Sequence, residues 1–532
     1  MKKSKIPTKG ELLRLQKQFK TDEKIGERLG GVPAYLVAYW RRKKDVPKYS
    51  LPKFSEADIR NLWERYGDDE KAGLELGISK AAFYNWRRRY GLREKPAFLK
   101  LEQLELNFPG MVAPSYANSL YGKRSVAQKV LARLLEVDRV EVGQGVDVEP
   151  DLTITPDMAA VVVEAFGERA DLVWNPSKVV LLPGRSVTGD ESNAADANRK
   201  VREFARRRGI KYFYDVQEGN CAQVALERGH IVPGSLILGT GRESLALGAL
   251  AGMAISVQPA DLAGVWAGET YHLAVPESAR MTINGRRSRG VTATDVALFV
   301  IKQLAGGDVR DKVIEFTGSV VSQMTVGERF TLSGLSAETG ARAALCTYDA
   351  TTRRYLTGRA LSRYQPVVAD KDTEYAQLYQ INVDHLTPMI APLQSLSSAR
   401  PVAEMRELQV QHIVLGGLTA GRFEDLRVAA EILRGHHVHD GCRFWIVPGS
   451  RSVYLEALRK GLIRLFTEAG AMVAHPGSMN GFETLAPGER GLVTTWPGAA
   501  QPANVEIFFC SPAVAAASAL NAAITDPTGY GR

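Results

Sequence analysis

An internal repeat at a fixed offset commits a chain to building the same unit twice. The first hundred residues of this 532-residue chain carry such a repeat. One copy runs from Phe19 through Lys24 and Leu29 to Gly30, then reaches Tyr39-Trp40-Arg41-Arg42. The other runs from Tyr66 through Lys71 and Leu76 to Gly77, then reaches Trp86-Arg87-Arg88-Arg89. The lysines are offset by 47 positions and the tryptophans by 46. The single-residue difference falls in a turn, where length is tolerated.

Each copy predicts three short helices. In the second, Ser55 to Asp58 cap a helix whose apolar stripe is Ile59, Leu62, Trp63 and Tyr66. A segment from Glu70 to Leu76 stops at Gly77, and Ser79 opens a helix that turns Ala82, Phe83 and Trp86 inward. This is helix-turn-helix spacing and resembles the homeodomain-like tri-helical family, in which the third helix enters a DNA groove and basic residues hold phosphates. The resemblance implies DNA contacts from Arg41, Arg42, Lys43 and Lys44 in the first copy. In the second they come from Ser79, Lys80, Asn85, Arg87, Arg88 and Arg89. Ala34, Tyr35 and Ala38 offer the first copy a smaller reading face. Two helical hairpins that contact another protein are the alternative.

Charge supports a polyanion partner. The chain is +9 overall, yet residues 1–100 alone are +12, so the rest is slightly acidic. Double-stranded DNA is therefore the expected macromolecular partner. No apolar run is long enough to span a bilayer, and no apolar stretch follows the basic Met1 to Lys5, so neither a membrane nor a signal peptide is expected. Four widely spaced cysteines without a CxxC pair argue against a disulfide framework or a zinc knuckle and point to a reducing cytoplasm. The run His436-His437-Val438-His439 reads as a solvated loop rather than a metal site.

The expected organisation is 1–50 and 51–97 for the two repeats, 98–114 for a proline-bearing linker, and an α/β body divided at 115–410 and 411–532. The body alternates short apolar strands with helices. Val179 to Leu182, Ser235 to Gly239, His412 to Gly416 and Phe444 to Pro448 read as buried strands, each feeding a turn and a helix.

Several phrases resemble the aconitase superfamily, in particular the large subunit of 3-isopropylmalate dehydratase and homoaconitate hydratase. They include Val275 to Gly285, Gly290 to Asp295, Gly327 to Thr331, Ala337 to Arg342, Gly421 to Ala430, Val447 to Val453 and Ser511 to Ala517, in family order. The resemblance implies three α/β domains around a cleft, behind an all-α tandem helix-turn-helix module. It also implies a fourth, swivelling domain supplied as a separate small subunit, because the chain stops where large subunits stop.

The resemblance does not carry the family's chemistry. Its cluster-bearing Gly-Ser-Cys-Thr-Asn-Gly-Arg loop reads Gly416 to Arg422 here, with Leu418 at the cysteine position. Its Pro-Gly-Cys-x-x-Cys loop reads Pro476 to Gly481, with Ser478 and Gly481 in place of the thiols. Iron–sulfur clusters are held by thiolates, so no cofactor is expected. The Asp-His pair falls near Gly184-Arg185, the Gly-Asp-Ser-His-Thr turn reads Gly239 to Ser244, and Ala222 stands for the histidine of a Cys-His-Gln phrase. No catalytic residue is expected. Arg185, Arg242, Glu243, Ser244, Thr419, Arg422, Ser450 and Arg451 remain as a pocket for a carboxylate or phosphate. Three functions follow as expectations. The first is a DNA-binding regulator or scaffold with a cluster-less body. The second is a cluster-independent hydro-lyase or isomerase tethered to nucleic acid. The third is a structural protein of a nucleoprotein complex.

Overall fold

The computed structural model describes residues 6–19, 21–47, 54–66, 68–90, 92, 123–156, 158–167, 169, 172–183, 191–307, 309–405, 407–417, 420–477, 485–495 and 505–530. The linker 98–114 and the positions Arg185, Leu418, Thr419, Ser478 and Gly481 lie outside the described residues. The chain forms two compact units, Met1–Asn107 and Phe108–Arg532.

The first unit holds two helix triplets. They are α1 (Lys9–Phe19), α2 (Asp22–Arg28) and α3 (Ala34–Lys43), then α4 (Glu56–Tyr66), α5 (Asp69–Glu75) and α6 (Lys80–Arg89). Caps fix the starts. Thr21 accepts from the Lys24 amide and Ser79 from the Ala82 amide, while Ser55 and Asp58 bond each other reciprocally ahead of α4. Each triplet buries its own small core, Leu12, Ile25, Val37, Trp40 and Val46 in one and Ile59, Trp63, Ala72 and Phe83 in the other. The repeat also shares a glycine. A Cβ on Gly26 would lie 1.9 Å from the Val32 carbonyl oxygen, and one on Gly73 would lie 2.9 Å from that of Ile78. The turn can cross the second helix this closely only where no side chain stands.

The second unit is built on three main sheets. The first is parallel, with spatial order β4-β3-β2-β5-β6, from β2 (Leu152–Ile154), β3 (Val179–Leu181), β4 (Tyr212–Phe213), β5 (Leu236–Gly239) and β6 (Met253–Ser256). A small ribbon pairs β1 (Gly145–Val148) with β7 (Tyr271–Ala274). The second sheet is parallel, β10-β9-β8-β11, from β8 (Ser278–Asn284), β9 (Val313–Thr317), β10 (Ala343–Cys346) and β11 (Gln377–Asn382). The third has seven strands, β13-β12-β18-β17-β14-β15-β16. Its strands are β12 (Met389–Pro392), β13 (Arg400–Pro401), β14 (His412–Gly416), β15 (Arg443–Val447), β16 (Met472–Val473), β17 (Arg490–Val493) and β18 (Glu506–Cys510). The expected division at residue 410 is corrected here. β12 pairs antiparallel with β18, so the third sheet takes in chain from Met389 onward. The interior strands β2, β3, β5 and β14 are buried along their length, which is why they read as continuous apolar runs. Among the described residues no helix is long and apolar enough to cross a membrane.

One buried histidine makes the first sheet's surroundings sensitive to acid. His230 is 7% exposed, with Nε2 2.6 Å from the Tyr214 hydroxyl and its ring edge-on to Tyr212 at 4.5 Å. Burial, helped by the nearby Arg228 charge, holds its pKa down to about 4. Between that value and about 6.5 the unfolded chain binds the extra proton, so stability rises with pH across this window and is lost on acidification. His230→Gln is expected to flatten the dependence of melting temperature on pH between about 4 and 6.5, by up to roughly 3 kcal/mol at the acid end. A variant with an unchanged slope shows that other groups carry the dependence.

Candidate functional site

Ligands of open parallel sheets sit beyond the carboxyl ends of the strands, where the strand order reverses direction. Two such points occur. From β2 the chain moves outward to β3 and β4, then returns to the other flank of β2 as β5 and β6. From β14 it moves outward to β15 and β16, then returns to the other flank of β14 as β17 and β18. The loops at these points are Gly239 to Ser244 after β5, Gly416 to Arg422 after β14, and the segment after β17 that begins at Thr494.

Close backbone packing joins these edges. Gly219 bridges Ser450 antiparallel, the Asn220 amide donates to the Gly449 carbonyl at 2.8 Å, and the Gly477 amide donates to that of Pro448 at 2.7 Å. Gly416 has φ +107°, and a Cβ there would lie 1.8 Å from the Val447 carbonyl oxygen. Position 416 is therefore restricted to glycine by both conformation and space.

The expected anion pocket is corrected by its own contacts. Arg242 is 64% exposed and donates to Glu338 at 2.7 Å. Arg422 is buried, donates to Thr331 Oγ1 at 2.5 Å, lies 3.3 Å from Asp425 and sits over the Phe330 ring. Arg451 reaches Glu218 at 3.2 Å, and Arg228 reaches the same carboxylate at 2.8 Å. Each arginine is already matched to a carboxylate, so these three do not form a cluster of uncompensated charge. Ser450 caps the helix Arg451–Arg459 by accepting from Val453, and its hydroxyl donates to Glu227 at 2.8 Å. Ser244 is fully buried and donates to the Thr240 carbonyl at 3.1 Å. Glu243 is buried beside it at the start of the same turn. Arg185 and Thr419 lie outside the described residues.

Glu227 and Glu218 escape sequence reading, because their partners Ser450 and Arg451 lie more than two hundred positions away. Burial pushes the Glu227 carboxyl up, while hydrogen bonds from Gln223, Ser450 and Ser452 oppose the shift.

The donor set for a [4Fe–4S] cluster does not fit. Leucine and glycine at 418 and 481 offer no ligand atom, and serine at 478 offers no thiol. The four cysteines are buried in separate elements, Cys221 opening the helix Cys221–Glu227, Cys346 and Cys510 ending β10 and β18, and Cys442 preceding β15. Burial pushes all four thiols up, Cys346 to about 11 and Cys442 to about 12, so they stay protonated rather than becoming thiolate ligands. Among the described residues no group of three or more His, Cys, Asp or Glu side chains is disposed to hold a metal ion.

The first unit also corrects part of its expected contact set. Arg41 is 5% exposed and binds Asp22 bidentately, with both nitrogen–oxygen distances at 2.6 Å. Arg87 is 8% exposed, binds Asp69 at 2.8 and 3.0 Å, donates to the Leu92 carbonyl and lies 3.9 Å over the Trp63 ring. Both arginines are internal braces rather than phosphate contacts. Ser79 is occupied as a helix cap, and Lys80 lies 3.5 Å from Glu70. Arg42, Lys43, Asn85, Arg88 and Arg89 remain exposed on the third helices, with Lys44 half-buried. Tyr35, Tyr39 and Tyr84 also face outward there.

The profile of the Aconitase family (aconitate hydratase) matches residues 184–405 and 393–522. The chain is 35% identical over 419 residues to 3-isopropylmalate dehydratase large subunit 1 of Methanopyrus kandleri, covering 76% of this chain and 99% of that protein. It is 30% identical over 419 residues to a probable methanogen homoaconitase large subunit of Methanothermobacter thermautotrophicus, covering 76% and 98%. Among solved structures, holo-form aconitase X of Thermococcus kodakaraensis aligns with a TM-score of 0.42 and 13% identity, over 73% of this chain and 94% of that one.

Proposed function

The chain belongs to the aconitase family, and we propose that it works as a cluster-independent hydro-lyase or isomerase on a small hydroxy-carboxylate, tethered to nucleic acid by its N-terminal helices. One observation carries this reading. The body spans 99% of a 3-isopropylmalate dehydratase large subunit, yet Leu418, Ser478 and Gly481 stand where the family pattern has cysteines. Without thiolate-held iron to polarise a hydroxyl, the proton that departs with it must come from a positioned side chain. Glu243 is our choice for that group, because it is a buried carboxylate on the loop beyond β5, within the stretch Gly239 to Ser244 that stands for the family's acid–base turn. A small swivel-domain subunit is the partner in this reading, in keeping with relatives named as large subunits.

The test uses the full chain purified anaerobically, assayed for hydration of unsaturated di- and tricarboxylates with and without an iron chelator. The expected result is turnover that survives the chelator, less than one iron per chain, and a loss of about 100-fold or more in kcat for Glu243→Gln. About four irons per chain after reconstitution, or turnover abolished by the chelator, overturns it.

A second reading has its own support. The basic residues at the ends of α3 and α6 stay exposed after their inner arginines are paired, which suits a DNA-binding regulator or scaffold whose body has no turnover.

A further inference from the structure

A turn of the second sheet and the starts of four helices enclose a cavity of about 400 Å³. Its walls are the turn Arg286–Ser288 after β8 and the first turns of the helices Ala293–Leu304, Val326–Leu335, Phe423–Leu433 and Pro512–Asn521. Among the described residues of the loops Gly239 to Ser244 and Gly416 to Arg422, none lines it, so it is a separate place from the site proposed above. That volume lies within the range of small-molecule sites.

We propose that this cavity binds an apolar α-amino acid as its zwitterion, the ammonium on Glu424, the carboxylate on Arg286 and the side chain against Val291, Val428 and Pro512. Charge pairing comes first. Arg286 and Arg287 line the cavity together with the carboxylates Glu328, Glu424 and Asp425. Glu328 is engaged twice, by the Arg287 guanidinium and, as a helix cap, by the Thr325 amide at 2.8 Å. Asp425 is engaged in the same way, by Arg422 at 3.3 Å and by the backbone amides of Gly421 and Arg422. One carboxylate, Glu424, and one guanidinium, Arg286, are left over, and among the described residues no ion pair engages either. A ligand with a single charge matches one of them and leaves the other unanswered.

The setting of each group suits that role. Glu424 is half-buried, and its Oε2 packs where Gly327 has no side chain, since a Cβ there would lie 2.9 Å away. Burial, helped by the Asp425 and Glu328 charges, pushes the Glu424 carboxyl up, against its own backbone amide and the Arg422 charge. A ligand ammonium restores the solvation that burial removed, through charge-assisted hydrogen bonds. Arg286 is exposed. The Asp384 carboxylate that holds its turn bonds the Arg286 amide at 2.7 Å and not the guanidinium. That leaves a planar fork for a ligand carboxylate. Val291 and Pro512 are buried and Val428 is half-buried, which gives an aliphatic side chain apolar surface to cover.

The probes are L-leucine, L-valine and L-methionine. The controls are glycine, which lacks the side chain, isopentylamine, which lacks the carboxylate, and isocaproate, which lacks the ammonium. Calorimetry and thermal shift on the full chain are expected to show at least one of the three amino acids binding about 10-fold or more tighter than every control. Glu424→Gln is expected to weaken that amino acid about 10-fold and leave isocaproate unchanged. Arg286→Ala is expected to weaken it about 10-fold and leave isopentylamine unchanged. Arg286 is exposed and Glu424→Gln removes a desolvated charge, so neither variant is expected to melt below the parent. Arg286→Ala alone decides the case should Glu424→Gln lower the melting temperature. No binding of any of the three amino acids at millimolar concentration, a control that binds as tightly as the best of them, or an affinity indifferent to either substitution overturns the proposal.

Discussion

Asp370→Ala is expected to destabilise the body by about 3–5 kcal/mol, among the largest single-residue effects in the molecule. Lys129, on the helix Val126–Leu134, is 1% exposed in its side chain, and its ammonium lies 2.5 Å from Asp370. Burial pulls the Lys129 pKa down, and the Asp370 carboxylate works against that pull. Burial alone would raise Asp370, but the charges and hydrogen bonds of Lys129 and Arg124 hold it below the usual carboxylate range. Asp370 also accepts from the Arg124 backbone amide at 2.9 Å and from its Nε at 3.3 Å. Alanine leaves two cations facing a dry wall, and Glu315 is already engaged by the Val126 amide and the Tyr375 hydroxyl. Lys123→Ala supplies the contrast six residues away. Lys123 pairs with Glu374 at a site where both side chains are mostly exposed, so solvent screens the pair and its loss is expected to leave the urea midpoint nearly unchanged. Urea unfolding of both variants checks the pair. Equal, small shifts show that burial does not make Asp370 matter.

Local signals made much of the fold legible. The apolar runs at Val179, Ser235, His412 and Phe444 become β3, β5, β14 and β15 within one or two residues; β3, β5 and β14 are buried on both faces, and such a strand needs no partner in sequence to declare itself. The six short helices are legible for a similar reason, since Ser55, Gly77 and Ser79 act on their own termini. The candidate site is less legible. Arg242 meets Glu338 across 96 positions and Arg451 meets Glu218 across 233, so composition alone presents them as uncompensated cations. The departure from cluster ligation is legible without a structure, because ligand chemistry is decided by residue type at Leu418, Ser478 and Gly481. The inward turn of Arg41 and Arg87 had a signal. Asp22 and Asp69 recur at the offset of the repeat, just as the two arginines do. A repeated acid matched to a repeated base marks an internal brace, whereas a phosphate contact needs no acid beside it.

That distinction gives the second large effect. Arg87→Glu is expected to unfold the second helix triplet, and Arg88→Glu with Arg89→Glu to leave it folded. Arg87 combines a bidentate pair with Asp69, a bond to the Leu92 carbonyl and a guanidinium stacked on Trp63. Reversing it sets two carboxylates face to face in a nearly buried site and removes one wall of a core whose buried apolar members are Ile59, Trp63, Ala72 and Phe83. A penalty of about 3–5 kcal/mol exceeds what so small a core holds in reserve. Hydrogen exchange on the full chain reads this directly, as lost protection of the amides of Lys80–Arg89. Arg88 and Arg89 are exposed, so their reversal leaves exchange unchanged. If the module holds duplex DNA, the same double variant should weaken binding by an order of magnitude or more and lower the slope of log affinity against log salt by about 2, since each phosphate contact releases close to one counterion. Protection that survives Arg87→Glu shows that the brace is dispensable. DNA binding that is absent, or that ignores Arg88 and Arg89, leaves the outer basic face to a protein partner, with the brace argument intact.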